Sequence, residues 1–202
     1  MSNYPFAIGK KAVFFELDDV LIPSKDYQLQ VYYLFSQFIE HIEQKSGAEM
    51  IEFMRNLYET EGDSRIFQKT ADQFGLSDNY LQNFQMLHQN ARLPLKLLLY
   101  QNMLDFMQQL VAQDAKIFIV TDGKPEQQLN KIRQTEWNGL EKYLRVFFVE
   151  ELNLSKAEIF QNLLDVNELS VDEALVVGAN KFDAQQSKLI NLPYIESLKI
   201  YK

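Results

Sequence analysis

Val13-Phe14-Phe15-Glu16-Leu17-Asp18-Asp19-Val20-Leu21 passes from an apolar run into three acids within four positions. A short run of Val and Phe with no polar alternation suits a strand covered on both faces. Carboxylates directly after such a strand are costly to desolvate unless a cation or hydrogen-bond donors receive them. Glu16 and Asp18 lie two apart, so at the end of an extended segment they point toward the same side. A solvated strand-to-loop turn accounts equally well for an isolated Glu-x-Asp-Asp, so the remainder of the chain has to decide.

Outward from this stretch, short apolar runs alternate with helical patterns after about residue 95, which is the pattern of strand-helix-strand units around a parallel sheet. Strands are expected at Val13 to Leu17, Lys116 to Thr121, Arg145 to Val149, Ala174 to Gly178 and near Pro193 to Ile195. Crossover helices are expected at Gln101 to Ala112, Pro125 to Gln134, Lys156 to Asp165 and Lys181 to Ile190. From about Ser24 to Asn90 the apolar residues Val31, Leu34, Phe35, Phe38 and Ile42, then Ile51, Met54 and Leu57, recur at helical steps with no strand signal. Gly47, Gly62 and Gly75 divide this segment into about four helices. The expectation is an α/β core of residues 1–23 and 91–202, with a three-layer Rossmann-like parallel sheet, and an inserted all-helical cap of residues 24–90.

Composition narrows the function. The 202 residues are 47% hydrophobic, enough for a full core, and carry 20 basic against 28 acidic side chains, a formal charge of −8. That field repels phosphodiester backbones and anionic membranes, so neither nucleic acid nor a membrane is expected as a partner. Cysteine is absent and there are two histidines, which leaves no disulfide, no thiolate nucleophile and no conventional zinc site. The start, MSNYPFAIGKK, lacks the order of a signal peptide and no apolar run approaches a membrane span, so the expected location is cytoplasmic.

In an open parallel sheet the binding crevice lies outside the carboxyl ends of the strands. The second expected strand ends in Thr121-Asp122-Gly123-Lys124-Pro125: a hydroxyl, a Gly permitting close backbone approach, and a Pro opening a helix. These make a candidate phosphate seat, although Thr, Asp and Gly are also ordinary turn and cap residues. Ser155-Lys156-Ala157-Glu158 has capping-box spacing, which puts Lys156 in a first helical turn where a cation opposes the helix dipole. That placement is better explained if the ammonium faces an anion or carboxylates. After the fourth strand, Gly178-Ala179-Asn180-Lys181-Phe182-Asp183 puts Asp183 one turn inside the next helix.

In order and spacing these positions resemble the haloacid dehalogenase-like superfamily, mostly phosphatases, and within it the members with a helical cap after the first motif. The family's Asp-x-Asp-Gly-Thr-Leu looks like Glu16-Leu17-Asp18-Asp19-Val20-Leu21, its strand-then-Thr motif like Thr121, and its Gly-Asp-Ser-x-x-Asp motif like Gly178 to Asp183. The motif lysine looks like Lys156, while a register laid on Glu158-Ile159-Phe160 puts Leu154 at that position instead. The resemblance implies catalytic roles for Glu16, Asp18 and Lys156, phosphate contacts from Thr121, Asp122, Gly123 and Lys156, and magnesium held by Glu16, Asp18, Asn180 and Asp183.

Two departures bear on that chemistry: the nucleophile's position is Glu16, and a metal-binding position is Ala179. Glutamate carries its oxygens about one bond farther from the backbone, and a displacement of about 1 Å in a reacting group costs on the order of a hundredfold in rate. Alanine offers no oxygen to a hard cation, which weakens the magnesium site. The expectation is therefore a degenerate site that binds a small phosphorylated molecule or a partner protein with lost or much reduced hydrolysis. The alternative is an active magnesium-dependent phosphatase of small phosphate monoesters, with Glu16 as nucleophile and Asp18 as general acid/base. Dehalogenation, which needs the same attacking carboxylate, ranks last.

Overall fold

The computed structural model describes residues 4–200, so Met1–Asn3 of the amino-terminal stretch lie outside the described residues. Strands run in the order β1 (Ala12–Phe15), β2 (Leu97–Leu98), β3 (Lys116–Thr121), β4 (Thr135–Glu136), β5 (Leu144–Phe148), β6 (Ala174–Gly178) and β7 (Tyr194–Glu196). Helices are α1 (Ser24–Glu43), α2 (Gly47–Glu61), α3 (Ile66–Phe74), α4 (Tyr80–Asn90), α5 (Gln101–Ala112), α6 (Pro125–Gln134), α7 (Val149–Leu152), α8 (Lys156–Val166) and α9 (Lys181–Leu189). The chain divides into two compact units.

The first unit, residues up to Pro23, Leu98–Gln128 and from Thr135 onward, contains a five-stranded sheet in the order β5-β3-β1-β6-β7. Every neighbouring pair is parallel. Phe15 sits opposite Ile119 of β3 on one side and Val177 of β6 on the other, so β1 ends in the middle of the sheet's carboxyl edge. Both faces are covered, as the unalternated apolar runs require. Phe14 stacks on Phe118 at 5.2 Å and packs on Phe160 of α8 at 5.0 Å, in one core with Val120, Ile159, Leu164 and Val176. Phe15, one residue on and therefore on the opposite face, packs edge-on against Phe106 of α5 at 5.8 Å.

β3 and β6 have the expected bounds, while β1, β5 and β7 differ from expectation by one or two residues, for local reasons. β1 stops at Phe15 because the chain curls: the Asp19 amide donates to Ile22 O at 2.8 Å and Leu21 N to Leu17 O at 3.0 Å. Asp19 takes a left-handed φ of 57° at this turn, a conformation that Asp tolerates better than most residues. β5 ends before Val149 because Val149 opens α7, a four-residue helix that carries no periodic signal of its own. The two-residue strands β2 and β4, which are too short to leave a pattern, lie outside the five-stranded sheet.

The second unit, Ser24–Leu97 with Leu129–Gln134, holds α1 to α4 around its own core. Tyr32, Phe35 and Ile39 of α1 meet Met50, Met54 and Leu57 of α2, Phe67 and Ala71 of α3, and Phe84 of α4. Three- and four-residue spacings bring those side chains onto one face of each helix, and this burial stabilises the unit. Ser46 caps α2 by accepting from Glu49 N at 3.2 Å, and α2 and α3 end at Gly62 and Gly75. Among the described residues no helix is long and apolar enough to cross a membrane.

Candidate active site

Four loops leave the carboxyl edge of the sheet within the first unit, and their side chains meet around one ammonium group. Lys156 opens α8 directly after its cap, where Ser155 and Glu158 satisfy each other's backbone amides at 2.8 and 3.3 Å. This fixes the first turn and commits the lysine side chain to the interior, where it is 1% exposed. Its Nζ bonds to Glu16 Oε2, to Asp122 Oδ2 at 2.7 Å and to Asp183 Oδ1 at 2.6 Å. A buried cation at a helix N-terminus is unfavourable by itself, and the three carboxylates offset it. Burial alone would lower the Lys156 pKa, but the charges of Glu16 and Asp183 outweigh it and hold the ammonium above the ordinary lysine range.

Asp183 reaches the lysine because β6 ends in glycine. A Cβ on Gly178 would lie 2.6 Å from Asp183 Cβ and 2.9 Å from the Tyr194 ring, so no side chain fits there. Asn180 caps α9 by accepting from Asp183 N at 2.9 Å, and Asp183 Oδ2 in turn accepts from Ala179 N at 3.3 Å. The side-chain oxygen of Asn180, assigned from the sequence to a metal, is therefore used as a helix cap. Ala179 contributes only its backbone amide.

Glu16 is the centre of the site. Its Oε1 accepts from Leu17 N at 2.8 Å and from the Thr121 hydroxyl, and its Oε2 accepts from Lys156 and from Asp122 N at 3.4 Å. Burial pushes its carboxyl up to about 7, with Lys156 and Thr121 working in the opposite direction. Thr121, Asp122 and Lys156, the donors expected to hold a phosphate, thus converge on a carboxylate of the protein itself. The Asp122 side chain, 47% exposed, bonds to Lys156 rather than standing free, while Gly123 beside it takes a φ of 98° that suits glycine.

Asp18 is joined to this group through a residue that the sequence reading did not single out. Gln128, in the first turn of α6 and 3% exposed, donates from Nε2 to Asp18 Oδ2 at 2.9 Å, Thr121 Oγ1 at 3.0 Å and Asp122 O at 2.5 Å. In the sequence it is one of two adjacent glutamines in a polar helix, indistinguishable from a solvated one. The available signal was its distance from Pro125, one turn, which returns the side chain over the preceding loop. Of the two lysine registers, Lys156 is the one at the site, and Leu154 packs at the margin of the apolar core.

Glu16, Asp122 and Asp183 each present a carboxylate oxygen within 4.8 Å of the others, a hard oxygen set that suits magnesium in charge and donor type. The same three groups are bonded to Lys156, so a divalent ion would bind in competition with the ammonium.

Acids at the ends of parallel strands, a hydroxyl closing β3 and a buried lysine after β5 define a hydrolase-like α/β protein. The haloacid dehalogenase-like hydrolase family matches residues 13–196, and the chain belongs to that family. No curated protein matches in sequence. Among solved structures, a haloacid dehalogenase-superfamily hydrolase of subfamily IA from Geobacter sulfurreducens aligns with a TM-score of 0.64 at 16% identity, covering 93% of this chain and 87% of that one. The hydrolase YfnB from Bacillus subtilis, in a magnesium-bound form, aligns at 0.62 and 17% identity over 92% and 85%. A phosphatase from Thermococcus onnurineus aligns at 0.54 and 18% identity over 91% and 84%. At these identities the likeness speaks for the fold.

Proposed function

We propose that this protein binds a small phosphorylated molecule at the Glu16, Thr121 and Lys156 site and hydrolyses it slowly or not at all. The observation carrying this reading is the hydrogen bonding of Glu16, whose carboxylate already receives Leu17 N, the Thr121 hydroxyl, Asp122 N and the Lys156 ammonium. Those are the donors a phosphoryl group needs, and phosphoryl transfer depends on positioning and electrostatic stabilisation above all. An aspartate would stop short of them, whereas glutamate reaches about one bond farther and fills the seat as an internal anion.

Charge supports the same reading. Glu16, Asp122 and Asp183 face a single lysine, with Asp18 held nearby through Gln128, so an entering phosphate meets excess negative charge. Magnesium held by Glu16, Asp18, Asp122 and Asp183 would supply the positive charge that offsets it. Asp18, held by Gln128, is the residue in place to move a proton, and Glu16 is the group that must leave the seat. The solved phosphatase and the magnesium-bound hydrolase that share the fold are consistent with a phosphate ligand and a magnesium partner.

The test is calorimetric titration of inorganic phosphate without magnesium, so that only the internal anion and not a metal ligand is removed. Removing the internal anion in Glu16→Ala is expected to tighten phosphate binding at least tenfold over wild type. Binding that is unchanged or weakened in the variant would overturn the idea that Glu16 fills the seat.

A further inference from the structure

Gln128 stands apart from the rest of the site because one end of its buried amide is unsatisfied while the other is fully used. It is 3% exposed, and its Oε1 is buried with no hydrogen-bond partner. A buried unsatisfied acceptor costs about 1–3 kcal/mol, and an apolar side chain of the same shape would avoid that penalty. Retention of an amide here calls for a use of its other end. That end is fully committed: Nε2 faces Asp18 Oδ2, Thr121 Oγ1 and the Asp122 carbonyl, at 2.9, 3.0 and 2.5 Å. Turning the amide over would set its oxygen against a carboxylate and a carbonyl, so the neighbours themselves fix which end points inward.

We propose that Gln128 is a positioning residue, which holds the Asp18 carboxylate at a fixed place beside Thr121 and so couples the proton-transfer position to the phosphate-contacting strand end. The inference rests on the proposed reading of the site. The amide bridges Asp18 and Thr121, and it comes from the first turn of α6, whose start is set by Gly123-Lys124-Pro125. A Cβ on Gly123 would lie 3.5 Å from Gln128 Nε2, which shows how closely the loop and the amide are packed. Gln128 touches Asp18 and Thr121 and acts through them.

Two measurements decide it. In nuclear magnetic resonance of the whole chain, the Gln128 side-chain amide is assigned by its absence from Gln128→Met. Asp18→Ala is expected to move that resonance and to speed its exchange with water at least tenfold, while Asp19→Asn, which tolerates the same left-handed φ, leaves both unchanged. In the Glu16→Asp, Ala179→Asp background, with an aryl phosphate and magnesium, adding Gln128→Met is expected to lower kcat about tenfold and to leave KM within about twofold. An amide resonance indifferent to Asp18→Ala, or kcat unchanged by Gln128→Met, overturns the proposal. If the background variant turns nothing over, the reading of the site fails and the amide resonance alone decides the role of Gln128.

Discussion

On the proposed reading, one methylene at position 16 separates an attacking carboxylate from one that binds the donors a phosphoryl group would use. Burial raises the Glu16 pKa from 4.5 to about 7, so the folded chain holds this proton more tightly than the unfolded chain. Between those two values the native state carries the extra proton, and stability falls as pH rises through that window. Glu16→Gln cannot titrate, so its melting temperature should drop less than that of wild type between pH 5 and pH 8, by about 5 °C. Equal slopes for the two proteins would contradict the assignment. Lys156 is the counterpart: Lys156→Met leaves Glu16, Asp122 and Asp183 facing one another without a cation. Removing one partner of a buried ionic group costs about 3–5 kcal/mol, which urea unfolding measures directly. A loss under about 1 kcal/mol would mean that the three carboxylates separate freely and do not form a fixed cluster.

At the scale of elements, the sequence was most informative where a pattern is long and one-sided. Lys116–Thr121, Ala174–Gly178, Gln101–Ala112 and Pro125–Gln134 have the bounds that their periodicity and caps imply. β2, β4 and α7 were illegible, since two to four residues leave no period to read. The individual carboxylates and Thr121 were visible because acids and a hydroxyl follow apolar runs. Hydrogen-bond geometry was not: nothing in the residue order shows that Glu16 turns onto Thr121, that Asn180 serves as a cap, or that one of two adjacent glutamines faces inward. Gly178 shows how an element boundary positions chemistry. Gly178→Ala would drive a methyl group into Asp183 and Tyr194, displacing α9's first turn. We expect a loss of about 1–3 kcal/mol, with Asp183 pushed off Lys156 in a crystal structure of the variant. A variant as stable as wild type, with the Lys156–Asp183 pair intact, would show that the glycine is incidental.

Over the whole molecule, an acidic chain of net charge −8 concentrates three carboxylates around one lysine at the edge of a parallel sheet, with a fourth, Asp18, tied to them through Gln128. Fold class followed from the alternation of apolar runs and helical patterns, because that alternation reflects burial on both faces of a sheet. Chemical competence did not follow, because on the proposed reading it turns on differences of about 1 Å at Glu16 and on a missing oxygen at Ala179. The central claim is that these two positions hold back an otherwise assembled hydrolytic site. Its most direct test is the initial rate of aryl phosphate hydrolysis with magnesium, measured for wild type, Glu16→Ala and the Glu16→Asp, Ala179→Asp double variant. The account predicts wild-type turnover near background and a rise of about a hundredfold or more in the double variant. Brisk wild-type turnover that Glu16→Ala abolishes, with no gain in the double variant, would contradict it.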